Sequence, residues 1–504
     1  MRADPGAPAP EEPVRFTILV TTDVHGWMNP AVDKDTRQYA GGLTRLAAAW
    51  RAREGYEPEV HRASYPRDGL VLDCGDMWTG RPESTLLQGS PLIDAFNALA
   101  YDAAALGNHE FDFGPDILKL NAHRLRFPLL AANLGRRETG PELDFCRPSV
   151  LLNVRGLPVG IIGLVYDKTP KITYPSQVRG LVFNPYVPAV RAEARDLLAR
   201  GARTLVVIGH VSRSELRELA LETKDLPIRL FFGGHNHRQE LEVIENDPDT
   251  EADDLVFLSA GQFGEAYGRV EVAFTATGAL KSHKAEIVQI RGSLDQPAEP
   301  EDKALAAIAE RASAKVAERM GEVVGLAREA VDNREGSTSP LGQLVTDSWL
   351  ESFPEADFAI NNRGSIRQPF SRGPITMGDV LGALPFATEL TEVLLTPAEL
   401  RELLSSAALY GSGLQVRYRV GEGRPGRIVT RVLDRNGRPL EEGRKYRVVT
   451  TDYLYLGGDG ARFREMDANG RALNIGWRVP FVEFLRRRAG DGVAPAPWNL
   501  VEEK

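Results

Sequence analysis

Aspartate, asparagine and histidine recur in the first half of the chain, each close behind a short apolar run. The positions that share this feature are Asp23, His25, Asp76, Asn108, His109, Asp112, His210, His235 and His237. The set contains five of the eight histidines of the chain; the other three, His61, His123 and His283, are interpreted as surface or packing residues. Carboxylate, amide oxygen and imidazole nitrogen together suit borderline divalent ions such as manganese, zinc, iron(II) and cobalt. The pattern therefore indicates a metal site, although a polar turn after a core strand would explain each residue taken alone.

The apolar runs in front of these residues predict a layered α/β domain. Runs such as FTILV, TLVVIG and LVFLSAG are short, partly β-branched and not alternating, which is typical of strands buried on both faces. Helical spacing appears between such runs, as in Leu43, Leu46, Ala47 and Trp50. Because ligands gather at the carboxyl ends of strands in open α/β sheets, we expect the polar residues to meet at one edge.

Composition limits the partners and the covalent chemistry of the chain. A net charge of -9 argues against a protein that binds nucleic-acid polymers in general. The two cysteines, Cys74 and Cys146, are too few for a disulfide framework or a cysteine-based zinc site. No stretch reaches the roughly 18 unbroken apolar residues of a membrane span. The first residues, MRADPGAPAPEEPV, also lack the apolar h-region of a signal peptide.

The length of 504 residues and two changes in composition predict a two-domain protein. Residues 1–13 are rich in proline, alanine and glutamate, which predicts a disordered lead-in. The first domain is predicted over residues 14–294. A cluster of proline and acidic residues then begins a linker with a helix over 295–322, and a second domain follows over 323–504.

The ordered motifs resemble those of the calcineurin-like dinuclear metallophosphoesterases. TTDVHG, GNHEFDFG and GGHNH are similar to the 5′-nucleotidase branch in particular, and NNRGSIRQPF, LPFATEL and TTDYLYLGGDG are similar to its C-terminal domain. The resemblance implies a four-layer αββα sandwich with a second, smaller α/β substrate-binding domain. It also implies hydrolysis of nucleoside 5′-phosphates to nucleoside and phosphate by a hydroxide that bridges two divalent metal ions (Mn, Zn, Co or Fe).

The resemblance assigns the metal ligands and a catalytic pair by position. The first ion would take Asp23, His25 and His237, the second Asn108, His210 and His235, and Asp76 would bridge both. His109 would stabilise charge on the phosphoryl group and assist the leaving oxygen. Asp112 would accept the other ring proton of His109 and fix its tautomer.

In the second domain the resemblance implies contacts to the substrate. Aromatic rings would sandwich the nucleobase and polar side chains would hold phosphate or sugar, at Phe386, Tyr453, Asn362, Arg367 and Asp459. Many relatives carry phenylalanine at the position of Tyr453 and glycine at that of Arg363. STSPLGQL, over 337–344, matches only part of a stretch that contributes to the site in relatives.

Several other activities share this architecture. They are 2′,3′-cyclic-nucleotide phosphodiesterase with 3′-nucleotidase activity, nucleotide-sugar hydrolysis and sulfur-ester hydrolysis. The cyclic-nucleotide branch usually carries asparagine where Asp112 stands, so the aspartate favours the 5′-nucleotidase. A non-catalytic nucleotide-binding protein would be expected to lose a ligand, and none is missing. Relatives are mostly periplasmic or extracellular, whereas a complete chain without a signal peptide would be expected in the cytoplasm.

Overall fold

The computed structural model describes most of the chain and divides it into two compact units. The described residues are 12–32, 37–137, 143–173, 177–245, 251–295, 297, 299, 301–332, 339–406, 409–420, 427–494 and 500–502. The first unit takes most of the chain up to Ser313, and the second takes the chain from Ala314 together with two short earlier segments, Gly80–Pro82 and Pro170–Pro175. Most of the predicted lead-in, residues 1–11, lies outside the described residues.

Two six-stranded sheets form the first unit. One has the strand order Leu280–Gln289, Ala266–Phe274, Val14–Thr21, Leu70–Asp73, Ala103–Ala105 and Leu129–Leu130. The other has the order Gln239–Ile244, Leu255–Ala260, Ile228–Gly233, Thr204–Gly209, Leu157–Leu164 and Ser149–Val154. Four neighbouring strands run parallel in each sheet, so their carboxyl ends share one edge.

Helices and small sheets complete this part of the chain. The helices are Leu43–Glu54, Pro58–Ala63, Pro82–Leu86, Ser90–Leu99, Pro115–Arg124, Thr169–Ile172, Tyr186–Ala199 and Arg213–Glu222, with a 3₁₀ turn at His109–Phe111. The small sheets are Leu134–Arg136 with Leu181–Phe183, and Arg291–Ser293 with Gln38–Ala40 and Ala31–Val32.

The positions of the apolar side chains give the order of the layers. Residues of both sheets, such as Ile18 and Val206, share one core. The other face of the first sheet packs against helices that include Leu43–Glu54, and that of the second sheet against helices that include Tyr186–Ala199. Each sheet is therefore covered on both faces, which is why its strands read as continuous apolar runs. The predicted αββα sandwich is confirmed.

The helix of the predicted linker runs from Lys303 to Gly321, and the division between the two units falls within it. Its first turns pack into the first unit, where Leu305 and Ala309 are buried in the core that also holds Leu43–Glu54. Asp302 Oδ1 accepts a hydrogen bond from the backbone N–H of Leu305 at 2.9 Å, which caps the start of the helix.

The second unit is a smaller α/β domain with one principal sheet, as predicted. That sheet has the order Leu409–Ser412, Phe358–Asn362, Tyr446–Thr451, Glu389–Leu395 and Arg471–Gly476. Smaller sheets pair Val323–Ala327 with Gly373–Thr376, and Leu414–Val420 with Arg427–Asp434 and Leu500–Glu502. Its helices are Pro340–Ser352, Met377–Ala383, Pro397–Ser406, Asp452–Tyr455, Phe463–Met466 and Arg478–Arg487, with 3₁₀ turns at Arg363–Ser365 and Gly458–Gly460.

The three histidines without a strand-end context have ordinary surroundings. His61 Nε2 lies 2.9 Å from Asp102 Oδ2, and His283 Nε2 lies 3.0 Å from Asp254 Oδ2, so each pairs with a buried aspartate. His123 is half-exposed beside Asp144. In the described ranges, every helix is too short or too polar to cross a membrane.

Candidate metal centre

The candidate residues of the first unit meet where the parallel strands of both sheets end. The strand that precedes each is Val14–Thr21 for Asp23 and His25, Leu70–Asp73 for Asp76, Ala103–Ala105 for Asn108 and His109, Thr204–Gly209 for His210, and Ile228–Gly233 for His235 and His237. Each sheet contributes part of the set. The distances between side chains show that these strand ends converge on one cluster.

Two aspartates lie at the centre of that cluster. Asp76 Oδ2 lies 3.0 Å from His210 Nε2 and 3.7 Å from His25 Nε2. Asp23 Oδ1 lies 3.3 Å from His237 Nε2 and 3.9 Å from the Nε2 atoms of both His25 and His210. Two ligand sets, Asp23–His25–His237 and Asp23–Asp76–His210, each have their donor atoms within 4.8 Å of one another.

The donor atoms fit divalent metal ions. Asp23 Oδ1 and Asn108 Oδ1 are buried and have no hydrogen-bond partner among the described residues, which is costly for acceptors without a ligand. His25 Nε2 lies 3.1 Å from His237 Nε2, and His210 Nε2 lies 3.2 Å from His235 Nδ1. Ring nitrogens that face each other at this distance need a shared proton or a cation. Nitrogen and oxygen donors in this mixture suit transition-metal ions.

Burial and neighbouring charges act on the pKa values in opposite directions. Burial would raise the pKa of Asp23, but His210 and His237 outweigh it and lower that pKa to about 2. Burial of Asp76 is outweighed in the same way by His210 and His109, and its pKa falls well below the usual range. Burial alone would lower the pKa of His210, but the negative charges of Asp76 and Asp23 outweigh burial and raise that pKa to about 10. Without a metal ion, His210 thus keeps a proton that a divalent ion would displace.

The backbone at most of the candidate ligands is strained. Asp23, His25, Asp76, His235 and His237 have φ angles of 50°, 49°, 58°, 75° and 60°. Positive φ is costly for residues with a side chain, by roughly 1–2 kcal/mol each, and such strain clusters at functional sites. Five of the seven predicted ligands therefore adopt a backbone conformation that their residue types disfavour.

Two residues that the sequence interpretation did not assign hold the loop of Asp76. Glu110 is fully buried, and its carboxylate accepts hydrogen bonds from the backbone N–H groups of Asp76, Met77 and Gly107. Burial and the charge of Asp76 raise the pKa of Glu110 to about 7. A Cβ atom on Gly107 would lie 2.1 Å from Asp76 Oδ1, so glycine is required there. Both residues belong to the GNHE motif, so the motif could have identified them from the sequence.

Backbone carbonyl groups orient two of the histidines. His25 Nδ1 lies 2.6 Å from Thr79 O, and His210 Nδ1 lies 3.0 Å from Cys74 O. Such outer contacts fix the tautomer and ring orientation of a metal-ligating histidine. No sequence signal could have identified them, because any residue type supplies a carbonyl.

His109 and Asp112 form a pair beside the cluster. His109 Nδ1 lies 2.7 Å from Asp112 Oδ2, and the ring of His109 packs edge-on against that of His25 with centroids 5.2 Å apart. If the Nδ1–H donates to the carboxylate, the neutral ring keeps its lone pair on Nε2. The backbone N–H of His109 also donates to Asp76 Oδ1 at 2.8 Å, which ties the pair to the centre of the cluster.

The five substrate residues predicted in the second unit form two contact groups. Asp459 accepts hydrogen bonds from Asn362 Nδ2 at 2.6 Å and from the Tyr453 hydroxyl at 2.8 Å. The guanidinium carbon of Arg367 lies 5.3 Å from the centroid of the Phe386 ring, in the range of a cation–π contact. The rings of Phe386 and Tyr453 are both half-buried.

Comparisons with known proteins agree with both units. Residues 16–239 match the model of the calcineurin-like phosphoesterases, and residues 314–466 match that of the 5′-nucleotidase C-terminal domain. The solved structure of a 5′-nucleotidase precursor from Thermus thermophilus is 26% identical, with a TM-score of 0.84, over 97% of this chain and 99% of that one.

Curated relatives show the same similarity over different shares of their length. The 5′-nucleotidase of Mus musculus is 28% identical over 504 residues, which cover 88% of this chain and 83% of that protein. The endonuclease YhcR of Bacillus subtilis (strain 168) is 30% identical over 430 residues, or 79% of this chain, but the chain spans only 33% of YhcR. The matches to both domain models and the similarity across nearly the whole chain show that it carries a calcineurin-like phosphoesterase domain followed by a 5′-nucleotidase C-terminal domain, the two domains of metal-dependent hydrolases.

Proposed function

We propose that this protein hydrolyses nucleoside 5′-phosphates to nucleoside and phosphate with two divalent metal ions. The observation that carries the proposal is the pair of ligand sets that share Asp23, with the His109–Asp112 pair next to them. Relatives named 5′-nucleotidase that match over more than four-fifths of their length support the choice of substrate.

Seven side chains would hold the two ions. Asp23, His25 and His237 would bind the first, Asn108, His210 and His235 the second, and Asp76 both. When bound, the ions supply positive charge for phosphate oxygens and acidify a water molecule near neutral pH. The side chains of the protein would contribute two further functions. Buried carboxylates would keep the ions in place, and a histidine would donate a proton.

His109 is the residue proposed to act on the substrate itself. Asp112 holds the His109 ring through Nδ1, so that Nε2 is the atom left for the phosphate ester. A protonated Nε2 can donate a hydrogen bond to a phosphoryl oxygen and give its proton to the leaving oxygen of the nucleoside. Asp112 stabilises the imidazolium form that this step requires.

The second unit is proposed to bind the nucleoside portion of the substrate. A nucleobase would stack on Phe386 and Tyr453, and Asn362, Arg367 and Asp459 would supply polar contacts. Asp459 fixes the Tyr453 hydroxyl, and the backbone of Gly458 lies under that ring, where a Cβ atom would be 2.4 Å from it. Because every base presents a π-face, discrimination among bases is expected to be mild.

A substrate panel tests the proposed reaction. Metal-loaded protein should release phosphate fastest from 5′-AMP, and more slowly from 3′-AMP, 2′,3′-cyclic AMP, UDP-glucose and p-nitrophenyl phosphate. The measurement is kcat/KM for each compound under the same metal conditions. A clear preference for 2′,3′-cyclic AMP or UDP-glucose would replace the proposed substrate with that class.

The pair at His109 gives a second prediction. His109→Ala should lower kcat on 5′-AMP by roughly 10²- to 10⁴-fold, the range for a placed acid or base. Asp112→Asn should cost less, since the ring remains but loses its fixed tautomer. Elemental analysis should find the same metal content in both variants as in the wild type. A His109→Ala protein that has lost its metal would make His109 a ligand instead.

The aromatic contact in the second unit gives a third prediction. Phe386→Ala should lower kcat/KM for 5′-AMP by about ten-fold or more, because one stacked base contributes about 1–3 kcal/mol. Hydrolysis of p-nitrophenyl phosphate should barely change. Phe353→Ala is the matched control, since Phe353 is a half-buried phenylalanine packed on the same core. Equal losses on both substrates would show that Phe386 is structural only.

A further inference from the structure

His235 and His237 are held differently from the other histidines of the cluster. Within the described residues, the hydrogen bonds of the His235 ring go only to His210, and the polar contacts of the His237 ring go only to His25 and Asp23. Neither ring therefore has a hydrogen-bond partner outside the proposed ligand set. Metal-ligating histidines usually have such an outer partner, which sets the ring orientation.

These two histidines are also the less enclosed ones. The side chain of His237 is 25% exposed, whereas those of His25 and His210 are 5% and 0% exposed. His235 is half-buried, and both residues follow the strand Ile228–Gly233 in left-handed backbone conformations. Without another contact, rotation of these rings would be limited only by the cluster itself.

Each of the two rings has an aromatic neighbour. The ring centroid of Tyr166 lies 4.2 Å from that of His235, with 35° between the planes. The ring centroid of Phe263 lies 6.0 Å from that of His237, with 60° between the planes. Tyr166 follows the strand Leu157–Leu164, which is the neighbour of the strand Thr204–Gly209 in the sheet. The two aromatics thus come from separate segments.

Phe263 keeps its position at a conformational cost. Its φ angle is 56°, a region that favours glycine and is costly for a residue with a bulky side chain. Its backbone N–H donates to Asp23 O at 2.8 Å, its carbonyl accepts from Gly42 N at 2.9 Å, and its ring stacks on Trp27 with centroids 4.9 Å apart. The surroundings therefore enforce a strained aromatic beside the metal ligands.

We propose that Tyr166 and Phe263 are positioning residues that hold His235 and His237 by ring contact, in place of the missing outer hydrogen bonds. The inference rests on the proposed function, because it requires the two-ion site. Tyr166 would support binding of the ion that His235 holds, and Phe263 would support binding of the ion that His237 holds. Loss of one aromatic ring should therefore lower the affinity for one ion and leave the affinity for the other unchanged.

Calorimetric titration of the metal-free full chain with Mn²⁺ tests this. The wild type should show two binding events. Tyr166→Ala and Phe263→Ala should each weaken a different event by roughly ten- to hundred-fold, the usual effect of losing an outer partner. The double variant should weaken both events. Tyr166→Phe and Phe263→Tyr, which keep the rings, should bind like the wild type, as should the control Tyr65→Ala at a position that is 86% exposed.

The thermal unfolding temperature of each metal-free variant separates positioning from folding. It should match that of the wild type for Tyr166→Ala. Phe263→Gly, which suits the positive φ angle, replaces Phe263→Ala if that variant does not fold. Unchanged affinities in the alanine variants, or equal weakening of both events, would overturn the inference. A wild type that binds no ions would instead contradict the proposed function, before any variant is considered.

Discussion

Two buried carboxylates, Asp23 and Asp76, require positive charge close by, and the rest of the first unit places the groups that can supply it. They are 0% and 2% exposed, and burying an ionised group costs several kcal/mol unless opposite charge lies close by. His210, whose pKa rises to about 10 because Asp76 and Asp23 outweigh its burial, supplies such charge as a proton when no ion is bound, and would be a neutral ligand when one is. A metal ion and a proton therefore compete for this side chain.

The αββα sandwich brings side chains from distant segments of the chain to one edge of its sheets, next to these carboxylates. His25 and His237 are 212 positions apart in the chain, yet their Nε2 atoms lie 3.1 Å apart. Parallel strands in both sheets make this possible, because all of them deliver their carboxyl ends to the same side. The turns that follow are left-handed at five predicted ligands, so the core must stabilise conformations that the residues themselves disfavour.

Much of the fold, and the convergence of the candidate residues on one cluster, could be predicted from sequence, for a physical reason. Strands buried on both faces must be apolar throughout, so Asp23 or His210 at the end of such a run stands out. The resemblance then gave the order of the ligands and the pair at His109. The contacts that hold the ligands were harder to predict, since a backbone carbonyl such as Thr79 O carries no signal in its residue type.

The aromatic neighbours were missed for a related reason. Tyr166 and Phe263 look like ordinary residues near strand ends, and only the geometry places their rings against His235 and His237. The left-handed angle of Phe263 is likewise invisible in the sequence, because a residue with φ of 56° there would be expected to be glycine or asparagine. The conformational cost of a residue beside the candidate metal centre is visible only in the structure.

The cluster around Asp23 and Asp76 is proposed to bind two metal ions. Crystals of the full chain grown with Mn²⁺ and measured at its absorption edge test this most directly. Two anomalous peaks about 3.5–4 Å apart are expected, as in other two-metal sites, with Asp76 within ligand distance of both. A single peak, or two peaks that Asp76 does not join, would contradict it.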